Sequence, residues 1–271
     1  MRPAPGAADR ACGLNDSMGR IVFIGAGPGA ADLITVRGVR RLGLADVVLF
    51  DALTDPALRE FAPHARWIHV GKRGFADSTG QTAINALLIK HAAEVGLVVR
   101  LKGGDPSVFG RLEEELAAMA DAGIECEVVP GVTAALAAAA ATQRPLTRRG
   151  FGRSVSLATA MTREGHLHAT RSADTEVFYM AGKQLGALSR RLLGAGWPAD
   201  TPASVVSNAG WPDQLHSDHT LQALGAASML HAGRPTVVTV GAGAAALTHE
   251  AVAAQVPAPA GLIAPRPALK P

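Results

Sequence analysis

Ile21-Val22-Phe23-Ile24-Gly25-Ala26-Gly27-Pro28-Gly29 decides the fold. Four apolar residues run without a polar break into a glycine turn, and a helical stretch follows through Arg41. A buried strand, a glycine turn and a helix make one α/β unit. The same arrangement recurs down the chain. Val47 to Phe50 reads as a strand ending at Asp51, Trp67 to Val70 as one ending at Gly71-Lys72, and Val98 to Leu101 as one ending at Gly103-Gly104. Cys126 to Val129 is a fifth, running into Pro130-Gly131-Val132-Thr133. Between them, Ser78 or Thr79 caps a helix whose Ile84, Leu87, Leu88 and His91 recur at helical spacing. Glu113 to Ala122 is a helix with an acidic first turn, which suits the positive end of its dipole, and Ala134 to Ala141 is an alanine-rich helix. Asp51, Lys72, Gly103 and Asp105 are thereby expected at comparable depths, outside the strand ends where open α/β sheets bind ligands.

From about Phe151 the pattern changes. Ser154 to Ala158, Glu176 to Met180, Ala203 to Val206 and Thr236 to Val240 are four strand candidates separated by helices and polar loops. The expected organisation is a flexible head at 1–19, an α/β domain at 20–144, a second, smaller α/β domain at 145–243, and an Ala/Pro-rich tail at 244–271. Five prolines between Ala251 and Pro271 forbid a continuous helix or central strand there.

The 271 residues are 48% hydrophobic and 18% charged, enough for a sizeable core and incompatible with wholesale disorder. Net charge is +3, and the basic residues are scattered, with Arg148-Arg149 the notable central doublet. Neither a basic stripe nor, with one Tyr and seven Phe, a stacking platform is present, so nucleic acid is excluded as the expected partner. No apolar run reaches 18 residues and the head lacks a signal-peptide core, so a cytoplasmic protein without a membrane span is expected. Cys12 and Cys126 lie far apart and form no metal or disulfide pattern. His166 and His168, and likewise His216 and His219, lack an HExxH or paired-cysteine context and are read as surface or loop residues, so no metal is expected.

Two glycine loops carry different weight. Gly25-Ala26-Gly27-Pro28-Gly29 superficially suggests GxGxxG but fails at Ala30, and Pro28 removes a backbone N–H that a phosphate turn would use. No GxxxxGK[ST] occurs. Gly103-Gly104-Asp105-Pro106 says more: paired glycines let backbone lie against a ligand, Asp105 offers acceptors, and Pro106 stiffens the exit. Pro130-Gly131-Val132-Thr133-Ala134 supplies a second glycine and hydroxyl loop after the next strand.

Gly25 to Gly29, Gly71-Lys72-Arg73, Arg100-Leu101-Lys102-Gly103-Gly104-Asp105-Pro106, Val108-Phe109-Gly110-Arg111, Val128 to Ala134 and Pro145-Leu146-Thr147 together resemble the uroporphyrinogen-III C-methyltransferases of the tetrapyrrole methylase family. Val177 to Met180 and Pro235 to Gly241 extend the resemblance, which covers roughly Gly19 to Gly243. It implies a two-domain α/β fold with the active site in the inter-domain cleft, S-adenosyl-L-methionine as methyl donor, S-adenosyl-L-homocysteine as product, and a homodimer. It further implies methylation of uroporphyrinogen III, a macrocycle bearing eight carboxylates, at C2 and C7. The product, precorrin-2, forms through precorrin-1 and leads to sirohaem and cobalamin.

By the same resemblance, cofactor contacts fall on Gly103, Gly104, Asp105, Val108, Thr133, Ala134, Met180 and Ala209, the last where the family commonly has glycine. Asp51 is implied as proton acceptor and Lys72 as proton donor. Arg111 would fork onto a substrate carboxylate and help organise proton transfer through Glu114. Pro28, Arg73, Arg148 and Arg149 complete the implied substrate wall. Several positions depart from the family. Asp77-Ser78 stands for His-Ser, Leu112-Glu113-Glu114-Glu115 for Gly-Gly-Glu-Glu, Thr147-Arg148-Arg149 for Thr-His-Arg, and Thr159-Ala160-Met161 for Thr-Gly-His. Two imidazoles are thus replaced by Arg148 and Met161, neither of which shuttles protons near neutrality. These losses keep two alternatives open: a related precorrin C-methyltransferase, and a noncatalytic tetrapyrrole-binding or regulatory protein.

Overall fold

The computed structural model describes residues 18–71, 80–160 and 169–247. Apart from Met18–Gly19 and Ala244–Leu247, the expected head and tail lie outside the described residues, as do Lys72, Arg73, Asp77, the capping candidates Ser78 and Thr79, and Met161, His166 and His168. The described residues fall into two compact units. One contains residues up to Ala137 together with Asn208–Gln214, and the other contains Ala138–Ser207 together with residues from Leu215 onward.

The first unit is built on β1 (Arg20–Gly25), β2 (Val47–Phe50), β3 (Arg66–His69), β4 (Leu97–Lys102) and β5 (Cys126–Val129). The sheet order is β3-β2-β4-β1-β5 and every pairing is parallel. A parallel sheet is covered on both faces, so its strands read as continuous apolar runs. The period of two sorts each run between two cores. Val22, Ile24, Val48, Val99 and Leu101 enter one core with Leu42 of α1 (Val36–Leu42) and Leu58 of the 3-10 turn Pro56–Phe61. Ile21, Phe23, Val47, Leu49 and Val98 enter the other, with Ile84 and Leu88 of α2 (Gln81–Ala92) and Met119 of α3 (Leu112–Asp121). Thr35 starts α1 by accepting a hydrogen bond from the Gly38 N–H at 3.0 Å. Helix α4 (Ala134–Ala141) follows β5.

In the second unit, β6 (Val155–Thr159), β7 (Thr175–Tyr179), β8 (Pro202–Ser207), β9 (Leu215–Thr220) and β10 (Thr236–Gly241) form a sheet ordered β6-β7-β10-β8-β9. Only β6 and β7 pair in parallel; β10 lies antiparallel to both β7 and β8, and β9 antiparallel to β8. Phe178, Val205, Val238 and Val240 pack on Leu185, Leu188 and Leu192 of α5 (Leu185–Gly194) and on Leu221 and Leu224 of the following 3-10 segment.

The fold class expected from sequence, α/β, is the observed one, built on two sheets. Strand β9 was not expected. Leu215-His216-Ser217-Asp218-His219-Thr220 holds a single strongly apolar residue, because an edge strand paired on one side needs little burial and is commonly polar. His216 and His219 therefore belong to a strand rather than to a loop. Among the described residues, no helix is long and apolar enough to cross a membrane.

Candidate active site

The loops leaving β1, β4 and β5 are bound together, the first two by their main chains and the third through a carboxylate. Gly104 donates its N–H to the Gly27 carbonyl at 2.7 Å and Gly27 returns one to Gly104 at 3.3 Å. The Asp105 carboxylate accepts from the Ser107 N–H at 2.8 Å with one oxygen and from the Gly131 N–H at 2.9 Å with the other. Asp105 thus ties the loop after β4 to the loop after β5, a connection that neither motif announces alone. Gly131 and Gly25 nearly touch: a Cβ on Gly131 would stand 2.4 Å from the Gly104 carbonyl oxygen and 2.7 Å from the Gly25 Cα. Gly104 is glycine for a different reason. Its φ is +73° and a Cβ there would meet nothing within 4 Å, so its outer face is open to a ligand. Each Asp105 oxygen has a second lone pair for a ligand hydroxyl or ammonium. An open glycine face beside such acceptors fits a polar ligand carrying hydroxyl or ammonium donors.

Asp51 follows β2, whose Phe50 is in register with Leu101 of β4, so it lies level with Lys102 and Gly103. Arg100 Nη2 donates to Asp51 Oδ1 at 2.6 Å and Arg100 Nε to Glu115 Oε1 at 2.9 Å; Lys102 Nζ donates to Glu115 Oε2 at 2.5 Å. The side chains of Arg100 and Lys102 are 3% exposed and Glu115 is 0% exposed, whereas Asp51 is 28% exposed. Charges are buried at such cost that they occur paired and hydrogen-bonded. Burial alone would weaken the hold of Arg100 on its proton, but Asp51 and Glu115 outweigh it and raise its pKa. For Lys102 the balance is reversed: burial, then the neighbouring Arg100 charge, lower its pKa despite Glu115. Beside Asp51 opens a cavity of about 330 Å³ whose walls include Phe50, Thr54, Arg59, Trp67 and His69.

Sequence reasoning missed Arg100, Lys102 and Glu115 as a unit, and assigned the acidic start of α3 to its dipole. A signal was present. Arg100 and Lys102 are alternate residues in an otherwise apolar strand, and so share the face on which Val98 is buried. Glu115 precedes buried Met119 by one helical turn.

Arg111 takes φ +55° at the start of α3, and its guanidinium forks onto Glu114 with two 2.7 Å hydrogen bonds. This pair is open to solvent, at 57% and 50% exposure. Val108 donates its N–H to the Asp105 carbonyl, and Thr133 is buried, its carbonyl accepting from Leu136 and Ala137 as Ala134 begins α4. Pro28 accepts from Trp211 Nε1 at 3.1 Å through its carbonyl, and buried Ala209 is close in sequence to that tryptophan. All of these belong to the first unit.

Met180, Arg148 and Arg149 belong to the second. Met180 follows β7 with φ +58° and is exposed. Arg148, expected beside substrate carboxylates, is buried; its guanidinium donates to the main-chain carbonyls of Pro145 and Ala245, while its backbone pairs with Gly152. Burial and the nearby Arg144 charge lower its pKa. Arg149 is exposed. Among the described residues, no group of three His, Cys, Asp or Glu side chains could hold a metal ion.

The profile of the Tetrapyrrole (Corrin/Porphyrin) Methylases matches residues 20–225. A uroporphyrinogen-III C-methyltransferase of Pseudomonas aeruginosa is 45% identical over 195 residues, covering 70% of this chain and 80% of its own. A siroheme synthase of Zymomonas mobilis is 43% identical over 206 residues, 74% of this chain, but the match spans only 44% of that longer protein. Among solved structures, a Thermus thermophilus uroporphyrin-III C-methyltransferase complexed with S-adenyl homocysteine superposes with a TM-score of 0.72 at 33% identity, covering 82% of this chain and 97% of that one. The glycine-bound strand ends, the two sheets and this extended similarity agree: the chain belongs to the tetrapyrrole methylase family.

Proposed function

We propose that this protein transfers methyl groups from S-adenosyl-L-methionine to C2 and then C7 of uroporphyrinogen III, forming precorrin-2 through precorrin-1. The observation that carries the reading is the Asp51 carboxylate, held at the strand ends by buried Arg100, in a chain whose relatives are named for this substrate. The donor supplies an electrophilic methyl carbon on a cationic sulfur. As the pyrrole carbon forms its bond to that methyl, the carbon–sulfur bond breaks and its electron pair stays on sulfur, leaving S-adenosyl-L-homocysteine. The protein's task is alignment, because displacement tolerates little angular error.

Gly103, Gly104, Asp105, Val108, Thr133, Ala134, Met180 and Ala209 are assigned to the donor. Asp51 accepts the proton that the methylated ring must lose, and Lys72 is assigned as proton donor. Arg111 exchanges its Glu114 partner for a substrate carboxylate, which an exposed pair does at little cost because such pairs contribute about 0–1 kcal/mol. Pro28, Arg73 and Arg149 line the substrate. A homodimer in the cytoplasm is part of the same reading.

Anaerobic incubation with uroporphyrinogen III and methyl-labelled donor tests it. Two labelled ring methyls are expected; transfer only to a more highly methylated precorrin, or ring binding without transfer, would overturn it. Arg111→Ala is expected to lower transfer by about tenfold or more, the scale of one lost charge-assisted contact, with donor affinity retained. An equal loss of donor affinity would remove Arg111 from the substrate side.

A further inference from the structure

Strand β4 places Val98, Arg100 and Lys102 on the face covered by α3, and Glu115 reaches both cations from that helix. Each Glu115 oxygen is committed to one cation, and the charges alternate along Asp51, Arg100, Glu115 and Lys102. A guanidinium is planar and rigid, so the direction of its Nη2–H follows from the partner of its Nε–H. Arg100 spends Nε on Glu115 and Nη2 on Asp51. Glu115 therefore sets, together with the longer 3.3 Å bond from Nη1 to the Leu101 carbonyl, where Arg100 can hold the Asp51 carboxylate. Asp51 is the one member of the four that is not buried, and it lines the adjacent cavity.

We propose that Glu115 is a positioning residue for methyl transfer: clamped by Lys102, it fixes the Arg100 guanidinium, which fixes the Asp51 carboxylate for proton acceptance. This rests on Asp51 being the proton acceptor. Glu115 itself touches no substrate. A purely structural Glu115 would influence folding and donor affinity without regard to Asp51, whereas a positioning Glu115 acts on turnover through it.

A double-mutant cycle on the full-length chain separates these cases. Glu115→Gln is expected to lower kcat by about tenfold, with KM for uroporphyrinogen III and the Kd for S-adenosyl-L-homocysteine changed less than about twofold, a coupling of ordinary size for groups in one network. In an Asp51→Asn background the same substitution should cost less than about twofold further. Losses that multiply across the two backgrounds, or an unchanged kcat in Glu115→Gln, would overturn the positioning role. Undiminished turnover in Asp51→Asn alone would instead overturn the proton-acceptor reading, and the positioning role with it. Should Glu115→Gln fail to fold, Arg100→Lys answers the same question: it keeps the charge but cannot fork to both carboxylates, so the same selective loss of kcat is expected. Wild-type kcat in Arg100→Lys would overturn the proposal.

Discussion

One buried cluster in each unit handles polarity in a different way. In the parallel-sheet unit the cluster is made of full charges: Arg100, Lys102 and Glu115 neutralise one another between β4 and α3 and reach Asp51 after β2. In the mixed-sheet unit a comparable cluster is made of hydroxyls and imidazoles. Ser207 Oγ pairs with His231 Nδ1 at 2.6 Å and with Thr236 Oγ1 at 2.7 Å, and Ser217 Oγ pairs with His231 Nε2 at 2.8 Å. Ser207 and His231 are fully buried. Neutral partners can exchange donor and acceptor roles and tolerate rearrangement, whereas a charge chain enforces one geometry because any broken link leaves an uncompensated charge. The first unit thus holds the Asp51 carboxylate in place, and the second ties β8, β9 and β10 together through His231 and its hydroxyl partners.

That contrast is breakable. The largest expected effect is Glu115→Ala, which leaves two buried cations without their acid and should cost about 3–5 kcal/mol in urea unfolding, as for other broken buried pairs. A loss below about 1 kcal/mol would mean that water reaches the network and that the two clusters behave alike. Next comes Gly131→Ala. Its Cβ would collide with the Gly104 carbonyl and the Gly25 Cα, backbone that can yield only by parting the loops after β1, β4 and β5. A cost of about 1–3 kcal/mol is expected, together with loss of donor binding; wild-type binding calorimetry would show that the loops need not touch.

The smallest effect is an acid response confined to the second unit. Burial lowers the pKa of His231 below its usual 6.5, so the folded protein keeps this imidazole neutral where the unfolded chain takes up a proton. Stability from this group is therefore complete above 6.5 and declines as pH falls from there through the lowered folded pKa. His231→Gln should flatten the melting temperature against pH in that window. An unaltered slope would assign the acid response elsewhere.

Much of this was legible in the residues. Apolar runs closed by Gly25, Asp51, Gly71, Gly103 and Pro130 set out the five strands of the first sheet and the loops at their ends, because a strand covered on both faces is mostly apolar. Strand β9 was not legible, since an edge strand can be as polar as Leu215–Thr220. Arg148 illustrates the same limit: an arginine doublet reads as a basic wall facing carboxylates, and the burial of Arg148 against the Pro145 and Ala245 carbonyls depends on a partner about a hundred residues away.

The sequence alone determined the alternation of elements, the glycine loops and the family, because these follow from local periodicity and short motifs. Tertiary structure alone decided that Asp105 ties two loops together, that Gly25 and Gly131 are in near contact, and that Glu115 reaches Arg100 and Lys102 rather than serving its own helix dipole. Each of those facts is a distance between groups far apart in the chain. Sequence spacing carries no measure of such a distance until the sheet sets its register and α3 is laid across it.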